Sequence, residues 1–229
     1  MRVVLFGATG MIGQAVLREC LLDPEITEVL SISRRPSGKQ DAKLREIVHK
    51  DFLDFSALAG QLAGYDACFF CLGASSVGMS EAEYHRLTYE VAVAAAQALL
   101  AQSPQLTFLF VSGAGTDSTE RGRTMWARIK GKTENAILKM PFKASYAIRP
   151  AYVHPMHGIV PSDRVYRSLY KVVGLLYPLL RALFPRSVTT TERLGRAMIH
   201  VAKHGAPKRV LENADLSALL PKEGRAGGA

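Results

Sequence analysis

The sequence predicts a doubly wound α/β fold, a parallel sheet with helices on both faces, carrying a small C-terminal lobe. Three observations point there. Short apolar runs alternate with helical stretches through the first two thirds of the chain. A glycine cluster, "GATGMIG", joins the first apolar run to the first helix. The alternation ends after Val153. Strand following helix following strand is the pattern that buries a parallel sheet between two helical layers.

The elements follow in order. "RVVLF" is a continuous apolar run ended by glycine, as suits a strand buried on both faces. A helical pattern runs from Met11 to Leu22. "EVLSIS", "LREIVH", "DACFFCL", "LTFLFVS" and "ASYAIRPAYV" read as the second to sixth strands. The clearest helix spans Glu81 to Gln102, with Leu87, Val91, Ala94, Ala95, Ala98 and Leu99 at helical spacing and alanines suited to close packing on a sheet.

Residues 1–153 are therefore expected to form the core domain and 154–220 a smaller substrate-side lobe. The lobe contains the apolar stretch "YRSLYKVVGLLYPLLRALF", a helix beginning near "TTTERLGRAM" and a short apolar piece, "KRVLEN". Residues 221–229 form a Gly/Ala-rich tail expected to be disordered. No internal repeat is visible.

With 229 residues, 48% of them hydrophobic and 21% charged, the chain can bury a full core. A formal charge of +9 raises nucleic acid as a partner, but the basic residues are spread out, with no long Lys/Arg run and no interleaved aromatics. The charge fits a solvated basic surface that favours anionic ligands such as phosphates. The apolar run at the N-terminus is too short for a signal peptide, and three cysteines are an odd number without disulfide spacing. The expected compartment is the cytoplasm.

"GATGMIG" carries the strongest chemical signal. Placed between a strand and a helix, Gly7 permits a tight turn, Gly10 lets backbone amides approach a pyrophosphate, and Gly13 lets helix and strand pack closely. Thr9, Met11 and Ile12 complete the cofactor-facing stretch. At the end of the second strand, where an acid would bind ribose hydroxyls, the chain has Arg34 and Arg35. Arginine pairs with a 2′-phosphate that an acid would repel, so NADP(H) is favoured over NAD(H).

"GATGMIG", "KDFLD", "CLGASS", "FVSGAG", "WARIKGKTEN" and "AIRPAYV" fall in the order and spacing of a known superfamily. Over roughly residues 1–215 the chain resembles the atypical short-chain dehydrogenase/reductases, especially the Tat-interacting-protein-like, epimerase-like branch that binds NAD(P)H. The resemblance implies a Rossmann core. It places Asp51 and Phe52 at the adenine, Leu72 and Gly73 beside the adenosine ribose, and Ser112 at a substrate carbonyl. It makes Lys130 the residue that holds the nicotinamide ribose and lowers the pKa of a tyrosine. Arg149 and Pro150 match the Arg-Pro that leads into the substrate region. The catalytic set is thus Ser112, Lys130 and the residue four before the lysine, and there the chain departs from the family: it has Trp126 where tyrosine is expected.

Other chemistry-bearing residues fit plainer roles. Cys68 and Cys71 lie three apart on a strand and point to opposite faces, so they read as core residues. His200 and His204 have metal-ligand spacing on a helix but no companion ligand, and no metal is expected. Tyr152 and His154 follow the Arg-Pro strand on the substrate side and are the candidate alternative proton donors; His157 shares a turn with Pro155 and Gly158. "VVGLLYPLLRALF" is too short to span a bilayer and reads as a buried helix, a pocket cover or a homodimer contact. If it lines the pocket, the small-molecule substrate is partly apolar.

Two function classes fit. One is an NADP(H)-dependent oxidoreductase with an altered acid, acting on acceptors such as quinones that need little proton assistance. The other is a non-catalytic NADP(H)-sensing regulator or assembly factor.

Overall fold

In a computed structural model of the chain, residues 1–160, 174, 177–184 and 186–221 are described. Seven strands form one parallel sheet. In chain order these are β1 (Arg2–Phe6), β2 (Glu28–Ser33), β3 (Leu44–Val48), β4 (Ala67–Phe70), β5 (Thr107–Val111), β6 (Ala144–Arg149) and, from the C-terminal third, β9 (Val210–Glu212). Across the sheet the order is β3-β2-β1-β4-β5-β6-β9, so the direction of winding reverses beside β1 and leaves a crevice at the carboxyl ends of β1 and β4.

Alternation along the strands divides the core into two layers. Val3, Leu5, Phe69 and Leu109 face α1 (Met11–Leu22) and α6 (Thr191–His204), whose Val16, Leu17, Leu194 and Met198 fill that side. Val4, Phe6, Cys68, Phe70 and Phe108 face the other way, onto Ala95 and Leu99 of α3 (Val91–Gln102) and Ile137 of α4 (Met125–Leu138). A period of two in strands that are apolar throughout is what burial on both faces demands. The cysteines follow it: Cys68 packs in the second layer and Cys71 against the first, and all three cysteines are free thiols.

The expected sixth strand divides at Pro150. β6 stops at Arg149, and Tyr152–His154 becomes β7, paired in parallel with β8 (Val188–Thr190) in a separate two-stranded sheet. Proline has no N–H to continue the ladder, while its carbonyl accepts from Ala114 N at 3.0 Å. The helix expected over Glu81–Gln102 also has an internal break. α2 (Glu81–His85) passes through a π-helical turn at Arg86–Glu90 before α3 begins.

From residue 154 onward the chain returns to the core. α6 starts at Thr190, whose hydroxyl accepts from Arg193 N at 3.1 Å, and its Gly195 crosses α1 closely. "KRVLEN" supplies β9, with Val210 in register with Ala147 of β6. The described residues also form two short helices, α5 (Tyr177–Leu183) and α7 (Asn213–Ala218). Leu179, Leu183 and Phe184 are exposed. Residues 172, 173, 175 and 176 of the apolar stretch 172–184, and the tail from 222, lie outside the described residues. Among the described residues no helix is long and apolar enough to cross a membrane.

Candidate cofactor and active site

The glycine loop sits in the crevice at the winding reversal, and its sterics are strict. Gly7 has φ +83°, and a Cβ there would lie 2.8 Å from the Cys71 carbonyl carbon and oxygen. A Cβ on Gly13 would lie 1.9 Å from the Gly7 carbonyl oxygen, so the helix meets the loop at a distance only glycine permits. Gly10 occupies the N-cap of α1 with extended backbone and no side-chain cap, and the first turn, with Met11 and Ile12 half-buried, contains no acid. The positive end of α1 is thereby left for a ligand anion. Gln14 Nε2 donates to the Thr9 carbonyl at 3.1 Å and braces the loop.

A cleft of about 630 Å³ opens beside this loop. Arg34, Asp51, Phe52, Leu72 and Gly73 all line it, so residues far apart in the sequence meet at one cleft. Phe52 is buried edge-on against Phe6, with ring centroids 6.2 Å apart, and Asp51 Oδ1 accepts from Leu53 N at 3.0 Å. Arg35 is exposed and outside the cleft lining; its carbonyl accepts from Ser33 Oγ at 2.5 Å. Lys50, the first residue of "KDFLD", and Arg86, which no motif marks, also face the cleft. On the other side of the glycine loop, a hollow of about 510 Å³ is lined by Thr9, Gln14, Ser37, Lys39 and His157.

Ser112 and Lys130 adjoin at the end of β5. Ser112 is 7% exposed, and its Oγ lies 2.8 Å from Thr116 Oγ1, which itself donates to the Gly113 carbonyl at 2.8 Å. Lys130 Nζ donates to the Ser112 carbonyl at 3.1 Å. Burial pushes the Lys130 ammonium down to about 8, against the pull of Glu134 one turn further along α4. Trp126, half-buried, is one turn earlier on the same helix, and its ring rim approaches Gly115, where a Cβ would stand 3.6 Å from Cη2.

Arg149 is tied down, with Nε and Nη2 on Glu134, Nη2 also on Ser118 Oγ and Nη1 on Glu212. It therefore joins α4, β6, β9 and the loop between β5 and α4. Tyr152 and His154 point along β7, ring centroids 6.4 Å apart. His154 stacks on Tyr177 of α5 at 3.9 Å, and burial lowers its pKa, which favours the neutral ring. His157, at φ 56°, is held by Glu192 at 2.6 Å. The rings of His200 and His204 lie 4.8 Å apart on α6, and among the described residues no group of three or more His, Cys, Asp or Glu is placed to hold a metal.

Residues 7–145 match the NAD(P)H-binding family, over half of the chain. "Protein fmp52, mitochondrial" of Emericella nidulans is 28% identical over 161 residues, 66% of each chain. "Protein FMP52, mitochondrial" of Meyerozyma guilliermondii is 26% identical, covering 88% of this chain and 85% of its own. Among solved structures, the Bordetella bronchiseptica enzyme WbmF in complex with NAD+ superposes with a TM-score of 0.66 at 14% identity, covering 95% of this chain and 76% of that one. MoeE5 in complex with UDP-glucuronic acid and NAD gives a TM-score of 0.68 at 18% identity, covering 92% and 75%. At those identities the structural likeness speaks for the fold alone. The names of the relatives overturn the expectation of a cytoplasmic protein, since four of them, from four fungi, are named mitochondrial. The chain belongs to the NAD(P)H-binding family and has a Rossmann fold like that of these dinucleotide-bound structures.

Proposed function

We propose that the protein is an NADP(H)-dependent oxidoreductase whose proton-transfer position is altered, acting on a partly apolar carbonyl or quinone-type acceptor. The observation that carries this reading is the juxtaposition of Lys130 and Ser112: a lysine held beside a serine at the carboxyl end of β5, next to β4 in the parallel sheet whose β1 leads into the glycine loop. The residues present suit a nicotinamide dinucleotide. The glycine cradle and the uncapped end of α1 take its pyrophosphate, Asp51, Phe52, Leu72 and Gly73 its adenosine, and Lys130 its nicotinamide ribose. When bound in reduced form the cofactor supplies a hydride. Arg34, at the rim of the adenosine cleft where an acid would exclude a 2′-phosphate, supports NADP(H) over NAD(H). Arg35, exposed and outside the cleft, supports it less.

A second reading, cofactor sensing without turnover, is favoured by Trp126, because an indole N–H donates a hydrogen bond but does not titrate in the useful range. Titration of NADPH and NADH by fluorescence or calorimetry, followed by NADPH oxidation against ketone, aldehyde and quinone panels, tests both. Tighter NADPH binding, weakened toward the NADH level by Arg34→Ala, together with quinone-dependent oxidation, is the result expected of the oxidoreductase. Tight NADPH binding with no turnover of any acceptor leaves the sensor. Equal affinity for the two cofactors overturns the NADP(H) assignment.

A further inference from the structure

We propose that Arg86 and Lys50 complete, with Arg34, a three-cation site that holds the 2′-phosphate of the dinucleotide at the adenosine cleft. This rests on the NADP(H) reading above and names residues that reading does not contain. The cleft has an apolar interior, with Phe52, Leu72, Leu87 and Val91, suited to a flat ring system, and three cations at its edge. Arg34 comes from the end of β2, Lys50 from the segment after β3, and Arg86 from the first residue of the π-helical turn between α2 and α3.

Among the described residues the charge of these three cations is unspent, and unlike the equally unpaired Arg35, Lys39 and Arg123 they line one cleft. Arg2, Arg128, Arg149 and Arg196 each find a carboxylate elsewhere in the molecule. Among the described residues the side chains of Arg34, Lys50 and Arg86 make no ion pair or hydrogen bond. The two acids of the cleft are engaged locally. Glu83 accepts from Ser80 N at 2.9 Å and Ser80 Oγ at 2.7 Å in a capping box, and Asp51 accepts from the backbone of Leu53. Three cations lining an apolar cleft match a purine carrying a phosphate dianion, since a guanidinium can pair with phosphate in a bidentate way and an ammonium acts as a point charge. Arg86 also opens a π-helical turn, a rare form frequent at functional sites.

The test is titration of NADPH, NADH, 2′-AMP and 5′-AMP into wild type, Arg86→Ala, Arg86→Met, Lys50→Ala and Lys39→Ala. Melting curves identify any variant that fails to fold, and Arg86→Met keeps the apolar stem. Arg86→Ala, Arg86→Met and Lys50→Ala are expected to weaken NADPH and 2′-AMP about tenfold to a hundredfold while NADH and 5′-AMP shift by no more than about twofold. A wild-type preference for NADPH that survives these substitutions overturns the three-cation site and leaves the NADP(H) reading standing. A loss seen only in Lys39→Ala moves the phosphate to the hollow on the other side of the glycine loop and overturns it too. Wild type binding both cofactors equally overturns the inference and the NADP(H) reading together.

Discussion

Arg149 closes a two-point ion pair on Glu134, with Nε–Oε1 at 2.9 Å and Nη2–Oε2 at 2.5 Å, and the glutamate is fully buried. Two parallel bonds between a planar guanidinium and a carboxylate are among the stronger polar contacts a core can hold, yet removing one partner strands the other without water. Arg149→Ala or Glu134→Ala is therefore expected to cost about 3–5 kcal/mol. At about 2–4 °C per kcal/mol for a chain of this size, the melting temperature drops by about 6–20 °C. Denaturant unfolding reads the free energy directly, and a loss below about 1 kcal/mol would show that solvent or Glu212 replaces the pair.

Gly13→Ala tests the cradle. The added methyl would have to occupy a point 1.9 Å from the Gly7 carbonyl oxygen, and backbone, not a flexible side chain, stands in its way. Loop and helix must part, at a cost of about 1–3 kcal/mol or more, and the pyrophosphate site goes with them. The variant is expected to fold with reduced stability and to show no dinucleotide binding by calorimetry. Wild-type affinity in Gly13→Ala would mean that the cofactor does not use this loop.

The sheet is legible in the sequence because burial on both faces leaves so little choice of residue: "RVVLF" and "EVLSIS" coincide with β1 and β2, and "GATGMIG" stands between the first strand and helix as its spacing requires. β9 is not, since a strand of three residues has too little pattern to separate it from a loop, and its place beside β6 is a long-range pairing. The break at Pro150 is implied by the missing proline N–H, but the apolar pattern continues across it and hides the boundary. At the site, Lys130 lying beside Ser112 follows from motif order and Lys50 opens "KDFLD", whereas Arg86 gives no motif signal and meets Lys50 only when the turn after α2 folds onto the same cleft.

Lys130 should make cofactor binding sensitive to pH. Its ammonium is lowered to about 8 by burial, so below that pH it is charged in the free protein and able to donate to ribose oxygens. Bound cofactor favours the charged form and raises its pKa. Affinity is then level below about pH 8 and falls as the pH rises through it, because binding must take up a proton. Stability follows the opposite course. The unfolded chain keeps this proton up to its ordinary lysine value while the folded chain has lost it, so the contribution of Lys130 improves from about pH 8 upward. NADPH titrations from neutral pH to about pH 10 should show the fall in wild type and a flat profile in Lys130→Arg, whose guanidinium stays charged throughout. A flat wild-type profile would place Lys130 away from the cofactor.

Trp126 decides what chemistry remains. It is one turn before Lys130 on α4, half-buried, with its ring rim against Gly115. A tyrosine there, acidified by the neighbouring ammonium, could give a proton to a substrate oxygen, whereas the indole N–H cannot. Loss of a general acid costs about 10²–10⁴ in rate, while positioning alone can contribute about 7–11 kcal/mol, so hydride transfer is weakened without being forbidden. The wild type is expected to turn over simple ketones poorly and quinones better, the latter needing less proton assistance. Trp126→Phe should leave cofactor affinity and any quinone reduction intact, because neither draws on the indole N–H. Trp126→Tyr should raise ketone reduction by up to about 10²–10⁴, since it supplies a titratable hydroxyl one turn from Lys130. Adding Lys130→Ala to Trp126→Tyr should remove that gain. Efficient ketone reduction by the wild type, abolished in Trp126→Phe at unchanged NADPH affinity, would instead make the indole part of the chemistry.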